Sequence, residues 1–211
     1  MLSSDGKDGS RGVRMQVDEA TGLLKGVSYL DSPNRGARPH GVRPELIVIH
    51  GISLPAGQFG GDYITRLFTN RLDTRDDARF GHLNGLRVSA HLLIQRDGHL
   101  TQFVPFDQRA WHAGQSVFAG REDCNDFSIG IELEGTDHTP YTERQYERLE
   151  QVIPALREAY PGIGADRIVG HCHIAPGRKS DPGPEFDWGR LQTRLRIQRP
   201  VTQPSSPMPC N

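Results

Sequence analysis

Two kinds of hydrophobic spacing divide the chain into strands and helices. Residues 127–134 (FSIGIELE) alternate cleanly, with Phe127, Ile129, Ile131 and Leu133 on one face and Ser128, Gly130, Glu132 and Glu134 on the other. Residues 45–50 (ELIVIH) form a β-branched run that ends in histidine, and 88–95 (VSAHLLIQ) form a second apolar run. Residues 99–104 (HLTQFV) follow Arg96-Asp97-Gly98, whose Asp-Gly pair predicts a hairpin turn. A short fifth strand is predicted through Arg167-Ile168-Val169. The helical period of about 3.6 residues appears over Tyr146, Leu149, Val152, Ile153 and Leu156, behind a capping box of Thr142 and Gln145. Pro154 has no amide hydrogen and is predicted to kink that helix or end its first part. Further helices are predicted near 62–70 and 187–196. The mixture predicts an α/β (α+β) fold: one domain, with a central mixed β-sheet flanked by helices.

Composition adds boundaries. The 211 residues suit one domain, and 24 glycines with 15 prolines make it rich in loops, where sites are usually built. Residues 1–20 are expected to be a disordered lead and 21–197 the folded domain. Residues 198–211 (QRPVTQPSSPMPCN), with four prolines, read as a disordered tail. The lead holds no apolar run of about seven residues, and nothing approaches the ~20 apolar residues of a membrane span. A cytoplasmic location is expected. With 26 acidic and 25 basic residues the formal charge is −1, which gives no electrostatic case for nucleic acid or an anionic membrane. No obligate protein partner is implied.

The candidate chemistry sits at strand ends. His50 closes a predicted strand just ahead of the Gly-rich loop 51–61. His171 and His173 follow the short fifth strand, ahead of 175–184 (APGRKSDPGP), and Asp181 lies ten residues after His171. Two imidazoles and one carboxylate converging from loop ends match a catalytic zinc site, which keeps its fourth position open for water. Strand-end histidines are more often hydrogen-bonded structural residues, and no HExxH is present, so this pattern needs support from elsewhere. Glu132 or Glu134 could serve as general base, but they stand about 6–7 Å apart along a strand and the pattern does not choose between them. Lys179 could face a developing oxyanion, though an exposed loop lysine is the commoner case. Trp111-His112 could be an aromatic platform for a sugar beside a polar group. Cys172 and His173 lack the CxxC-type spacing of a closed zinc site, and 57–61 lacks the Lys-Ser/Thr of a phosphate loop.

Support comes from longer runs: IVIHGISLPAGQFGG at 47–61, RVSAHLLIQRDG at 87–98, FVPFDQRAWHAG at 103–114, CNDFSIGIELEGTD at 124–137 and GHCHIAPGRKSDPGPEFDW at 170–188. In these the chain resembles the zinc N-acetylmuramoyl-L-alanine amidases of bacterial cell-wall recycling, which share a fold with T7-type lysozyme and the peptidoglycan-recognition proteins. The resemblance implies hydrolysis of the amide between the lactyl group of 1,6-anhydro-N-acetylmuramic acid and L-alanine. Small cytoplasmic muropeptides would be the substrates, with an influence on β-lactamase induction through their levels. It implies one Zn2+ per chain on His50, His171 and Asp181, with Glu132 rather than Glu134 as the catalytic glutamate and Lys179 as the catalytic lysine. Substrate contacts are implied for Arg87, Trp111, His112, Arg121 and Asn125. Two positions depart from the family: Gly51 stands where Asn is common, and Asp123 where relatives can carry Arg.

Two rivals share the resemblance. A non-catalytic peptidoglycan-recognition module would bind muropeptide without cutting it, but such binders typically lack a zinc ligand and this chain keeps all three. An amidase acting on intact wall, of autolysin or phage endolysin type, would be expected to carry a signal or a wall-binding appendage in the first case. The runs above match the recycling enzymes better.

Overall fold

The alternating run at 127–134 becomes the central strand of a six-stranded sheet. In the computed structural model, which describes residues 14–198 and 200, the sheet contains Ser28–Tyr29 (β1), Leu46–Ile52 (β2), Leu92–Ile94 (β3), Leu100–Gln102 (β4), Ser128–Glu134 (β5) and Ile168–Gly170 (β6). Their order is β6-β2-β5-β3-β4-β1. The pairs β6-β2, β2-β5, β5-β3 and β4-β1 are parallel, and β3-β4 is the antiparallel hairpin. The sheet is mixed, as expected. Gly98 takes a φ of 82° in the hairpin turn, a left-handed conformation that glycine adopts without strain.

Helices Tyr63–Phe68 (α1), Glu143–Ala159 (α2), His171–Ile174 (α3) and Trp188–Leu195 (α4) accompany the sheet. The capping box of Thr142 and Gln145 opens α2. Leu149, Val152, Ile153 and Leu156 of α2 share one core cluster with Ile47 and Ile49 of β2 and Ile129, Ile131 and Leu133 of β5. That packing decides the fate of Pro154, which lies inside α2 and does not end it. One lost backbone hydrogen bond is outweighed by the burial of a whole apolar face. Among the described residues no helix is long and apolar enough to cross a membrane.

Two expectations need correction. Phe127 does not join Ile129: it precedes β5, closes the short 3-10 turn Cys124–Asp126, and packs with Leu46, Val48, Cys124 and Val169 in another cluster. The expected lead of 1–20 also ends early. Val17–Asp18 pairs antiparallel with Leu23–Leu24, while Met15 and Val17 pack against the core. Residues 1–13 lie outside the described residues, as does the expected tail 198–211 apart from Gln198 and Pro200.

The face of β2 and β5 turned away from α2 carries His50, Ser128, Gly130 and Glu132, because strand residues alternate sides. β2, β5 and β6 run parallel, so their carboxyl ends open on one edge, where ligands of such sheets usually bind.

Candidate active site

Each putting one atom forward, His50, His171 and Asp181 form a small triangle. Nδ1 of His50 lies 3.0 Å from Nδ1 of His171, and both lie 3.1 Å from Oδ2 of Asp181. Three ligands around a tetrahedral zinc ion stand about 3.3 Å apart, so these atoms are nearly where such an ion needs them. Among the described residues this is the group of His, Cys, Asp and Glu side chains able to hold a metal. Its chemistry agrees. Nε2 of His171 is 3.0 Å from the Ala113 carbonyl, which only accepts, so Nε2 carries the proton and Nδ1 offers a lone pair. A lone pair set against a carboxylate oxygen is repulsive until a cation lies between them. Burial, followed by the neighbouring His171, pulls the His50 pKa from 6.5 down to about 4, which keeps that ring neutral and ready to ligate.

β2 delivers His50, and the turn from β6 into α3 delivers His171. Asp181 returns on the following loop, tied back where the Cys172 amide donates to its carbonyl (3.0 Å). A cavity of about 270 Å³ opens on the triangle, lined also by Glu132, Lys179, Leu54, Leu86, Val88 and Trp111.

Glu132 and Glu134 have different fates. The Glu134 carboxylate accepts from the backbone N–H of Gly60 and of Arg96, strapping the Gly-rich loop to the hairpin. Glu132 lines the cavity, and its Oε2 is buried without a hydrogen-bond partner. Burial, with the negative Asp181 nearby, pushes its carboxyl well above the usual range, and Lys179 opposes the shift. Such a carboxylate is eager for a proton, as a general base must be.

Of the other expected residues, Trp111 is 37% exposed at the cavity and Lys179 is exposed beside it. Arg87 lies outside the lining, next to Leu86 and Val88. Arg121, Asn125 and His112 each make contacts within the protein, and His112 also lines the cavity. Arg121 pairs with Glu45 (3.1 Å) and stacks 3.9 Å above the Phe127 ring. Oδ1 of Asn125 accepts from the amides of His112 (3.1 Å) and Ala113 (2.8 Å). Nδ1 of His112 is 2.9 Å from Nε2 of His50. Two participants escape sequence reasoning: the Ala113 carbonyl and Arg178, whose guanidinium donates to that same oxygen (2.7 Å). A main-chain oxygen leaves no mark in a sequence.

The two departures also have structural settings. A Cβ on Gly51 would collide with the Tyr141 hydroxyl, which donates to the Pro182 carbonyl (2.9 Å). Asp123 occupies a left-handed turn position (φ 57°), which Asp tolerates better than most residues.

Comparison with known proteins places the chain in a family. The family model described as N-acetylmuramoyl-L-alanine amidase matches residues 40–184. The 1,6-anhydro-N-acetylmuramyl-L-alanine amidase AmpD of Escherichia coli K12 is 54% identical over 181 residues, covering 86% of this chain and 97% of that protein. A crystal structure of a selenomethionine AmpD derivative superposes with a TM-score of 0.82 at 52% identity, covering 87% of this chain and all of that one. The E. coli amidase AmiD, solved with the substrate anhydro-N-acetylmuramic acid-L-Ala-D-γ-Glu-L-Lys, is 27% identical with a TM-score of 0.55 and covers 88% of this chain and 66% of that one. The chain belongs to the N-acetylmuramoyl-L-alanine amidase family and is an amidase of that kind.

Proposed function

We propose that this amidase is zinc-dependent and cleaves the bond between the lactyl group of 1,6-anhydro-N-acetylmuramic acid and L-alanine in small cytoplasmic muropeptides, for peptidoglycan recycling. Lower muropeptide levels would in turn bear on β-lactamase induction. The observation that carries the proposal is the triangle of lone-pair donors opening on a cavity that also holds the Glu132 carboxylate, whose Oε2 has no hydrogen-bond partner. Similarity to AmpD over nearly all of that enzyme's length supports the substrate class.

His50, His171 and Asp181 would hold the ion. A bound zinc ion supplies Lewis acidity and brings the pKa of its water to about 7. Glu132 takes the proton from the attacking water at its carboxylate and passes it to the alanine nitrogen, which cannot leave as an anion. The Lys179 ammonium offsets charge on the former carbonyl oxygen. The Trp111 indole covers one face of the anhydro-sugar. Arg87, just beyond the rim, offers a cation to a stem-peptide carboxylate.

The test is to compare hydrolysis of soluble anhydro-muropeptides with hydrolysis of polymeric wall, before and after exhaustive chelation. Release of a free alanine amine from the soluble substrate, lost on chelation and restored by zinc, is expected. Preference for intact wall would refute the substrate assignment, and full activity without metal would refute the zinc.

A further inference from the structure

Both imidazoles of the triangle lean on one dipeptide, His112-Ala113. His171 donates to the Ala113 carbonyl, and Nε2 of His50 meets Nδ1 of His112 at 2.9 Å. The direction of that second bond is set at the far end of a chain of groups. The Ser128 hydroxyl lies 2.5 Å from the Cys124 carbonyl, which can only accept, so the hydroxyl donates there. Nε2 of His112 is 3.1 Å from the same hydroxyl oxygen and must then bring the proton. Nδ1 of His112 is left as a lone pair that accepts from Nε2–H of His50. Nδ1 of His50 therefore also presents a lone pair, toward His171 and Asp181.

The surroundings are shaped for this ring. A Cβ on Gly130 would lie 2.5 Å from the His112 imidazole, so β5 passes beneath it without a side chain. Asn125 holds the backbone on either side of the ring through its one oxygen. With Nδ1 given to His50 and Nε2 to Ser128, both ring nitrogens are used inside the protein.

We propose that His112 is a positioning residue of the metal centre, fixing the tautomer and orientation of His50 with Ser128 behind it, and is not a substrate contact. The proposal rests on the zinc reading above. Partners behind a metal-bound histidine typically change metal affinity by about 10- to 100-fold.

Zinc affinity is measured by competition with a chromogenic chelator in wild type, His112→Ala, His112→Asn and Ser128→Ala, with the visible spectrum of each cobalt(II)-substituted protein. His112→Ala should bind zinc about 10- to 100-fold more weakly and shift the cobalt bands. His112→Asn, whose Oδ1 can stand where Nδ1 stood, should recover most of both. Ser128→Ala should lose a few-fold while remaining folded, which covers the case of an unfolded His112→Ala. Wild-type zinc affinity and cobalt spectrum in His112→Ala, with only KM raised, would restore the substrate-contact role and overturn the proposal. Equal zinc loss in His112→Ala and His112→Asn, accompanied by equal loss of melting temperature, would reduce His112 to packing and overturn it too. A wild-type protein that binds no zinc would sink the zinc reading itself, which sets that failure apart from the other two.

Discussion

Glu132 and His50 are register partners on neighbouring parallel strands, so a carboxylate with one unpartnered oxygen and an imidazole of the candidate metal triangle leave the sheet side by side on one face. The same register places Gly130 beside Val48 and Ser128 beside Leu46, which carries the polar side of β5 from the cavity down to the base of the His112 ring.

Substitutions at the two glutamates should therefore separate chemistry from stability. Glu132→Ala should keep zinc and lose activity by about 10²-fold or more, the scale of a general base. Glu134→Ala leaves the Gly60 and Arg96 amides without their acceptor and should lower stability by about 1–3 kcal/mol, with a far milder effect on turnover. Steady-state kinetics, metal analysis and thermal melts on both variants check this; the reverse order would misassign the base.

The raised Glu132 carboxyl has a consequence for metal-free stability. Its folded pKa lies above the ordinary 4.5, so as pH rises past that value the unfolded chain releases a proton that the folded chain retains. The wild type then loses stability with rising pH relative to a variant without this group. Metal-free Glu132→Gln should melt higher than metal-free wild type at pH 7, and the gap should close as pH falls toward 4.5. His50, His91 and His112 are buried in both proteins and cancel in the comparison. Melting curves that stay parallel from pH 4.5 to 7.5 would contradict it.

Removing a ligand should empty the site and spare the fold. His50→Ala and Asp181→Ala should each lose stoichiometric zinc by elemental analysis while far-ultraviolet circular dichroism is unchanged. The triangle stands at strand and loop ends, and the apolar clusters on the sheet do not depend on it. Stoichiometric zinc in either variant would reject that ligand.

Trp111 is 37% exposed and belongs to the cavity wall, so its loss should cost binding rather than folding. Covering one sugar face is worth about 1–2 kcal/mol. Trp111→Ala should weaken turnover of anhydro-muropeptides by about 5- to 30-fold with little change in melting temperature or zinc content. A large drop in melting temperature with catalytic efficiency preserved would make the indole a core residue.

Alternation along β5 makes two carboxylates on one face legible in the sequence itself, because period two is a property of side-chain order alone. It does not tell them apart: that depends on which backbone amides fold back onto Glu134 and leave Glu132 alone. His112 and Asn125 likewise look like substrate contacts when seen as polar residues in a loop. Their contacts with His50 and with two backbone amides are supplied only by three dimensions. Pro154 obeys the buried face of α2 and not the local rule that predicts a break, since the local rule knows nothing of what the helix packs against. The short pairing at Val17–Asp18 leaves no signal in the sequence, because two residues carry no period.

The donors of the triangle are far apart along the chain: His50 precedes His171 by 121 residues and Asp181 by 131, and only His171 and Asp181 are near neighbours, ten apart. An unfolded chain would thus hold only two of these candidate ligands close together, and the third arrives when β2 and β6 have paired. On the zinc reading proposed above, the ion would not template the early collapse of this protein and would be captured by a sheet already formed. Free metal should then discriminate strongly between the two ends of the folding equilibrium, raising the melting temperature with the logarithm of its concentration while leaving the refolding rate almost untouched.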